Sequence, residues 1–265
     1  MRITLLGTGT SHGVPTIDCM INGFGGCPTG VCRRALADRS LRRTRTSALL
    51  EWPGASVLID TSQDFYQQVF EWRVQRIDAV LYTHAHADHI YGLPDIRSYC
   101  RQQGDAIDVY GSQETMDVLR KAFDYVFQPP EFVGGGIPVL APHTLDTPLP
   151  LLGSTVIPIP VEHGALNGCQ GYRVGQVAYI PDVKRIPPAS LELLQDLDLL
   201  VLNCLRLRWH ASHLSLEESL AYVEDLAPRR CVLTHIAHDI DPEVHRHLLP
   251  EGVVFGYDGM VLEAE

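Results

Sequence analysis

Four potential metal ligands follow directly after an apolar segment in the first half of the chain. His84, His86, Asp88 and His89 come after residues 77–82, an apolar run that predicts a buried strand. Residues two positions apart in an extended chain face the same side, and the turn that follows brings in the others. Neutral imidazole and carboxylate groups bind zinc or manganese, and two such ions can share one site. The pattern therefore predicts a metal centre rather than a histidine-rich surface loop that binds nothing.

The run His-x-His-x-Asp-His at residues 84–89 resembles the metal signature of the metallo-β-lactamase superfamily. That family has further ligands downstream, each after a strand, and the matching residues here are His163, Asp182 and His235. The resemblance implies an α/β fold, the αββα metallo-β-lactamase sandwich, with a dinuclear site at one edge of the sheets. It covers nearly the whole chain, so we expect a single hydrolase domain over residues 1–265.

The resemblance also divides the ligands between two catalytic divalent ions, zinc or manganese. Each ion is expected to have three ligands of its own and to share a bridging carboxylate: His84, His86 and His163 for one ion, Asp88, His89 and His235 for the other, and Asp182 between them. Asp60 ends an earlier predicted strand, near the place where the family has an aspartate that orients a ligating histidine.

Composition limits the classes of function that remain. The formal charge of −11 and the isoelectric point near 5.5 argue against a protein that holds long nucleic acid, although metal ions can still attract a small anion. The sequence contains no apolar run of 18 residues, and its first residues enter a predicted strand without the long apolar segment of a signal peptide. We therefore expect a cytoplasmic protein without a membrane partner. Its seven cysteines are interpreted as reduced thiols or metal ligands.

Three of the cysteines lie close together in a glycine-rich segment that we expect to form a loop. Cys19, Cys27 and Cys32 suggest a structural zinc site, which needs a fourth ligand, and His238 is a candidate. This arrangement resembles a narrower group, the phosphodiesterase of the bacterial carbon–phosphorus lyase operon (PhnP) and its relatives. That group shares the Gly-Thr-Gly turn at residues 7–9 and a Thr-His-x-x-His run, and its members suggest a homodimer.

The cysteine spacing differs from that group, which usually has Cys-x-Cys-x-x-Cys. Here seven residues separate Cys19 from Cys27, and four separate Cys27 from Cys32. The insertion is either a bulged loop that leaves the tetrahedral site intact, or a sign that one thiol is not a ligand.

A further histidine is predicted at the edge of the metal pocket. Ser215 and Glu218 form a capping-box pattern, so a helix is expected to start there, and His213 stands just before it. That position suits a proton donor or a phosphate contact. Phosphodiesterase branches of the superfamily have a catalytic histidine at this point, which His213 matches better than His210. With Asp88, it makes up the predicted catalytic pair.

The apolar periodicity predicts the elements that must position these residues. Strands are expected at residues 3–6, 48–52, 55–60, 77–82, 107–110, 156–161, 172–180 and 197–203, and helices at 65–74, 90–100, 112–127 and 215–226. The turn after the first strand lies beside the active site in the superfamily, so Ser11 and His12 are weak candidates for substrate contacts. The basic cluster at residues 39–47 is either a solvated connector or a phosphate-facing segment.

These features together predict a dinuclear metal-dependent phosphodiesterase. The resemblance implies small, cyclic substrates, such as ribose cyclic phosphate or 2′,3′-cyclic nucleotides. The alternatives are a tRNA 3′-processing nuclease, for which a basic tRNA-binding arm is missing, and a thioester or lactone hydrolase, which needs no equivalent of His213. A metal-binding protein without activity would not need every ligand position to be occupied, and electron-transfer diiron relatives usually have glutamate in place of His86.

Overall fold

Two seven-stranded sheets form the centre of the structure. The computed structural model describes residues 1–127 and 136–264. The first sheet has the order β14-β1-β2-β3-β4-β5-β6, and the second has the order β13-β12-β11-β10-β9-β8-β7. The strands are β1 (Arg2–Gly7), β2 (Ser47–Trp52), β3 (Ala55–Ile59), β4 (Ala79–Leu81), β5 (Ile107–Gly111), β6 (Leu140–Thr144), β7 (Leu149–Leu151), β8 (Ser154–Pro160), β9 (Gln170–Val174), β10 (Val177–Ile180), β11 (Leu199–Asn203), β12 (Arg230–Thr234), β13 (Val253–Phe255) and β14 (Met260–Glu263).

Helices cover the outer faces of both sheets. They are α1 (Ile17–Ile21), α2 (Val31–Ala37), α3 (Phe65–Glu71), α4 (Ala87–Ile90), α5 (Arg97–Gln103), α6 (Gln113–Ala122), α7 (Asp124–Phe127), α8 (Pro188–Glu192), α9 (Leu216–Leu226) and α10 (Pro242–His245), with 3-10 turns at Arg39–Leu41, Leu93–Ile96 and Arg246–Leu248. Of the helices in the described ranges, none has the length and apolar character needed to cross a membrane.

The strands are apolar on both faces because each sheet lies between the other sheet and a layer of helices. In β2, Ala48 and Leu50 pack in the core between the sheets, whereas Leu49 packs on the opposite side with Phe65 of α3. A third core joins the second sheet to α8 and α9. These layers are the αββα sandwich that the sequence predicts.

Three predicted elements are divided in the structure. The expected helix at 90–100 is a 3-10 turn followed by α5, because Pro94 stands at its start and a side chain at Gly92 would meet the Ser62 carbonyl oxygen. The expected helix at 112–127 ends at Ala122 and resumes as α7. The predicted strand at 172–180 is wrong: it is the β9–β10 hairpin, which turns at Gly175 with a φ of 57°.

Parallel pairing brings several strand ends to one edge. Strand β3 is parallel to β4 in the first sheet, and β10, β11 and β12 are mutually parallel in the second. Hydrogen bonds connect the sheets at this edge. Gln170 N–H donates to Thr83 O (3.0 Å), the Tyr172 hydroxyl donates to Tyr82 O (2.6 Å), and Ile236 N–H donates to Thr8 O (2.8 Å). The carboxyl ends of β4, β10 and β12 therefore meet at one place.

The predicted capping box at the start of α9 is present. The Ser215 hydroxyl accepts from Glu218 N–H, and the Glu218 carboxylate accepts from Ser215 N–H (2.8 Å). We expect Ser215→Ala to lower the free energy of unfolding by about 1 kcal/mol, because one helix-end N–H loses its partner. Urea unfolding measures the change. Ser98→Ala, at an exposed position inside α5, is the control and should change stability by less than about 0.5 kcal/mol; equal losses would contradict the cap's role.

Candidate metal centre

The four potential ligands of the first sheet lie where β4 ends. The chain leaves the strand extended, and His86 precedes the first residue of the short helix α4. His84 and His89 are buried, and so is Asp88, while His86 is exposed. The change from strand to helix lets all four side chains approach one pocket.

The first of two clusters contains three histidines and one aspartate. His86 Nδ1 lies 3.0 Å from His84 Nε2 and 3.2 Å from His163 Nε2. Asp182 Oδ2 is 3.6 Å from His84 Nε2 and 3.7 Å from His163 Nε2. All four ligand atoms lie within 4.8 Å of one another, so a single ion can contact all of them.

The second cluster shares Asp182 with the first. Asp182 Oδ1 is 3.2 Å from His235 Nε2, and its Oδ2 is 3.5 Å from His89 Nε2. Asp88 Oδ2 completes the cluster, 3.3 Å from His89 Nε2 and 3.7 Å from His235 Nε2. One carboxylate that faces two sets of ligands is the geometry of a bridged pair of ions.

The chemistry of these atoms fits divalent metal ions. His89 Nε2, His235 Nε2 and Asp182 Oδ1 are buried without a hydrogen-bond partner among the described residues. A buried polar atom without a partner costs about 1–3 kcal/mol, and a coordinated cation removes that cost. The two clusters are therefore suited to metal ions.

Burial and neighbouring charges set the protonation states of the clusters. Burial, reinforced by the adjacent His89, holds the pKa of His84 well below its ordinary value, which leaves the ring neutral. Burial opposes ionisation of Asp182, but the surrounding His235 and His89 outweigh it and lower the pKa of that carboxyl well below its usual range. Neutral imidazole and ionised carboxylate are the forms that bind metal.

The far sides of the ligating rings are also hydrogen-bonded. His89 Nδ1 donates to Asp60 Oδ2 (2.7 Å), and Asp60 also accepts from Thr83 N–H (2.8 Å) and the Thr83 hydroxyl (2.7 Å). His163 Nδ1 donates to the Ser212 carbonyl oxygen (2.7 Å). Because Nδ1 makes this bond in both rings, Nε2 is the nitrogen that each ring can offer to a metal ion. Burial opposes protonation of His89, but the carboxylates of Asp182 and Asp88 outweigh it and raise the pKa of this ring, so a metal ion would replace a proton there.

The three clustered thiols gather around the second histidine of the Thr-His-x-x-His run. His238 Nδ1 lies 3.2 Å from Cys19 Sγ, 3.4 Å from Cys32 Sγ and 3.9 Å from Cys27 Sγ. The insertion thus forms a bulge that keeps all three thiols near His238. The expected loop is wrong in detail, because Cys19 lies on α1 and Cys32 on α2.

His213 lies nearer to both clusters than His210. Its ring centroid is 4.6 Å from that of His163 and 4.7 Å from that of His235, and its ring stacks on the latter. The ring of His210 lies beyond it, 5.3 Å away. Burial, with the neighbouring His235, lowers the pKa of His213 to about 2, so this ring is neutral.

A cleft of about 280 Å³ opens beside His213. It is lined in part by Ser11, His12, Arg206, His210 and His238. The two weak sequence candidates, Ser11 and His12, thus lie on the wall of the cleft.

The basic cluster at residues 39–47 makes internal contacts. Arg39 pairs with Glu71 (3.0 Å), and Arg45 pairs with Asp64 (2.9 Å). Arg43 is buried and donates to the Thr8 hydroxyl and to Gly256 O, both at 2.6 Å. These contacts favour the connector interpretation, although the segment is less solvated than that interpretation implies.

Three supporting residues were not found by sequence reasoning. The Thr83 hydroxyl donates to Asp60, and the Ser212 carbonyl oxygen accepts a hydrogen bond from His163. Asn203 donates to Pro181 O and accepts from Leu214 N–H, on either side of the site. Only Asn203 has a signal in the sequence, because it is a lone amide at the end of the apolar strand Leu-Leu-Val-Leu-Asn. Ser212 makes its contact through the backbone carbonyl oxygen, so its side chain gives no signal in the sequence.

Comparison with known proteins agrees with this geometry. A family model described as a beta-lactamase superfamily domain matches residues 55–236. The chain therefore belongs to the β-lactamase superfamily, and its two sheets have the metallo-β-lactamase arrangement. Its structure is similar to one entitled "Crystal Structure of a New Diphosphatase from the PhnP Family", with a TM-score of 0.87 and 38% identity over 100% of this chain and 98% of the other.

Two curated relatives have different names. The octanoyltransferase of Porphyromonas gingivalis is 36% identical over 98% of this chain. This chain spans only 51% of that relative's length, so the relative's name describes a protein about twice as long. A ribonuclease Z of Kineococcus radiotolerans is 26% identical over 74% of this chain and 78% of its own.

The hydrogen bonds of Asp60 generate a prediction about metal affinity. Asp60→Asn cannot accept from Thr83 and His89 as the carboxylate does, so we expect metal to bind about 10–100-fold more weakly. Competition with a chelator measures the affinity. Asp64→Asn, which removes a carboxylate that bonds to Arg45 and not to a candidate ligand, should leave the affinity unchanged. Equal affinities for the two variants would contradict a role for Asp60.

The thiol cluster generates a prediction about stoichiometry. We expect Cys32→Ser to lose one equivalent of zinc per chain, because a serine hydroxyl is a poor ligand for zinc. Elemental analysis of the purified protein counts the metal. Cys100→Ser changes a buried thiol that contacts Val139 O instead, and it should keep the full zinc content. Unchanged zinc in Cys32→Ser would rule out a zinc site at this cluster.

Proposed function

We propose that the protein is a dinuclear metal-dependent phosphodiesterase that hydrolyses small phosphodiesters. The observation that supports this most is the bridging geometry of Asp182, which faces both clusters while the neutral ring of His213 lies next to them. Two cations and a hydrogen-bond donor at one place suit the charge that develops on a phosphoryl group.

The proposed ligands follow the two clusters. One ion would bind His84, His86 and His163, the other would bind Asp88, His89 and His235, and Asp182 would bridge them. Zinc and manganese both accept these donors. Cys19, Cys27, Cys32 and His238 would hold a third, structural zinc, since thiolates favour zinc over manganese.

Each catalytic group then has a distinct task. Divalent ions, when bound here, lower the pKa of water towards neutrality and offset negative charge on the phosphoryl oxygens. Asp88, at the margin of the second cluster, orients the attacking water. His213 presents an N–H to the leaving oxygen as its bond to phosphorus breaks. The new bond joins the water oxygen to phosphorus while the ester P–O bond breaks. Of the two protons of that water, one ends on the leaving alkoxide and the other on the phosphate product or in solvent, so His213 keeps its N–H overall.

The size of the cleft supports a small substrate. A volume of about 280 Å³ suits a small substrate, and His213 on the wall of the cleft would meet the ester bond of a cyclic phosphate bound there. Cyclic substrates, such as ribose cyclic phosphate or 2′,3′-cyclic nucleotides, are proposed on the PhnP resemblance. The net charge of −11 disfavours a tRNA substrate like that of a tRNA 3′-processing nuclease. The ring of His213 beside the two clusters disfavours a thioester or lactone hydrolase.

Hydrolysis of two diesters tests the proposal. We expect the metal-loaded protein to hydrolyse bis-(p-nitrophenyl) phosphate and 2′,3′-cyclic AMP, and His213→Ala to lose about 10²–10⁴-fold in kcat/KM on the cyclic substrate. The metal content of the variant should stay at the wild-type value, because His213 is not a proposed ligand. His143→Ala is the matched control and should keep the wild-type kcat/KM, since His143 lies on β6, pairs with Asp108 and does not line the cleft. If neither diester is hydrolysed, the proposal is rejected, and thioesters and lactones become the substrates to test.

A further inference from the structure

Asn203 lies between the two segments that carry Asp182 and His213. It is the last residue of β11, the strand that lies between β10 and β12 in the second sheet. Asp182 follows β10 and His235 follows β12, whereas β11 ends in an amide in place of a metal ligand. The Asn203 side chain is fully buried.

The contacts of Asn203 determine which way its amide points. Its Oδ1 accepts from Leu214 N–H (2.8 Å), and its Nδ2 donates to Pro181 O (2.7 Å). The opposite orientation would place an NH₂ group against an N–H and an oxygen against a carbonyl oxygen. Because both contacts of the flipped amide would be repulsive, the NH₂ end must face Pro181.

The remaining hydrogen of that NH₂ group faces His213. Asn203 Nδ2 lies 3.4 Å from His213 Nδ1. An amide NH₂ group can only donate, so His213 Nδ1 must accept, and the proton of the neutral ring must be on Nε2. Nε2 lies on the far side of the ring from Nδ1. The ring lines the cleft of about 280 Å³ and also lies beside His163 and His235 of the two clusters.

We propose that Asn203 is a positioning residue that holds His213 in the Nε2–H tautomer, so that its N–H faces the leaving oxygen of the substrate. The catalytic consequence rests on the proposed phosphodiesterase function, whereas the tautomer of His213 does not depend on that function. Asn203 acts through His213 and does not touch the substrate. The bond to Pro181 O also connects it to the residue before Asp182, so one amide sets the position of the donor relative to the bridging carboxylate.

The tautomer can be measured directly in the zinc-loaded protein. Long-range ¹H–¹⁵N NMR spectra distinguish the protonated ring nitrogen of a histidine from the unprotonated one, and comparison with His213→Ala identifies the signals of His213. We expect the wild-type ring to carry its proton on Nε2. A proton on Nδ1 would overturn the proposal, whatever the activity of the enzyme. This measurement needs no variant at Asn203, so it stands even where such a variant fails to fold.

Asn203→Asp tests the consequence for catalysis. The carboxylate accepts a hydrogen bond from Nδ1–H, so the neutral ring should change to the Nδ1–H tautomer and lose its donor towards the cleft. We expect a loss of about 10²–10⁴-fold in kcat/KM on 2′,3′-cyclic AMP, whose alkoxide needs a donor. The loss in kcat/KM on bis-(p-nitrophenyl) phosphate should be less than about tenfold, because p-nitrophenolate is a stable anion that leaves without a donor. Asn22→Asp makes the same chemical change at an exposed position and should alter neither rate.

The pattern of results separates this proposal from a structural role and from the proposed function. Equal losses on both diesters would mean that Asn203 only supports the fold, and the positioning role would be rejected. No hydrolysis of either diester by the wild type would reject the phosphodiesterase function, while the NMR spectra would still decide the tautomer.

Discussion

The buried carboxylate of Asp182 is the group on which the arrangement of the site depends. It belongs to the second sheet, and it faces imidazoles from both sheets. A carboxylate removed from water costs several kcal/mol unless positive charge or hydrogen bonds compensate it. Here one of its oxygens has no hydrogen-bond partner in the described part of the chain. Positive charge at this position therefore stabilises the junction of the two sheets, and ligand binding and fold stability are coupled.

The backbone adopts an unusual conformation at two residues of the same edge. Asp60 and His235, which follow β3 and β12, have φ values of 61° and 59°. A side chain in the left-handed region costs about 1 kcal/mol or more, and such residues persist where the surroundings hold them. Both turns bend the chain directly after a strand, so that Asp60 reaches His89 and His235 reaches Asp182.

The superfamily resemblance predicted the sandwich and the downstream ligands His163, Asp182 and His235, which the structure places at one edge of the sheets. Spacing alone identifies the run from His84 to His89, because alternation in a strand is a local property. The β9–β10 hairpin was missed because two apolar strands separated by Gly175 have the same pattern as one. Asn203 was missed for a different reason: its function depends on Pro181 and Leu214, and only the parallel order of the strands brings these residues together.

Chain order and sheet order differ at the first strand, and this has a consequence for synthesis on the ribosome. Strand β1 is made first, but one of its neighbours, β14, is made after all the other strands, with Arg2 opposite Glu263. Until residues 260–263 have been made, one edge of β1 exposes free N–H and C=O groups. Such an edge can pair with another nascent chain. Pairing with β14 therefore covers an edge of β1 that could otherwise pair with another chain.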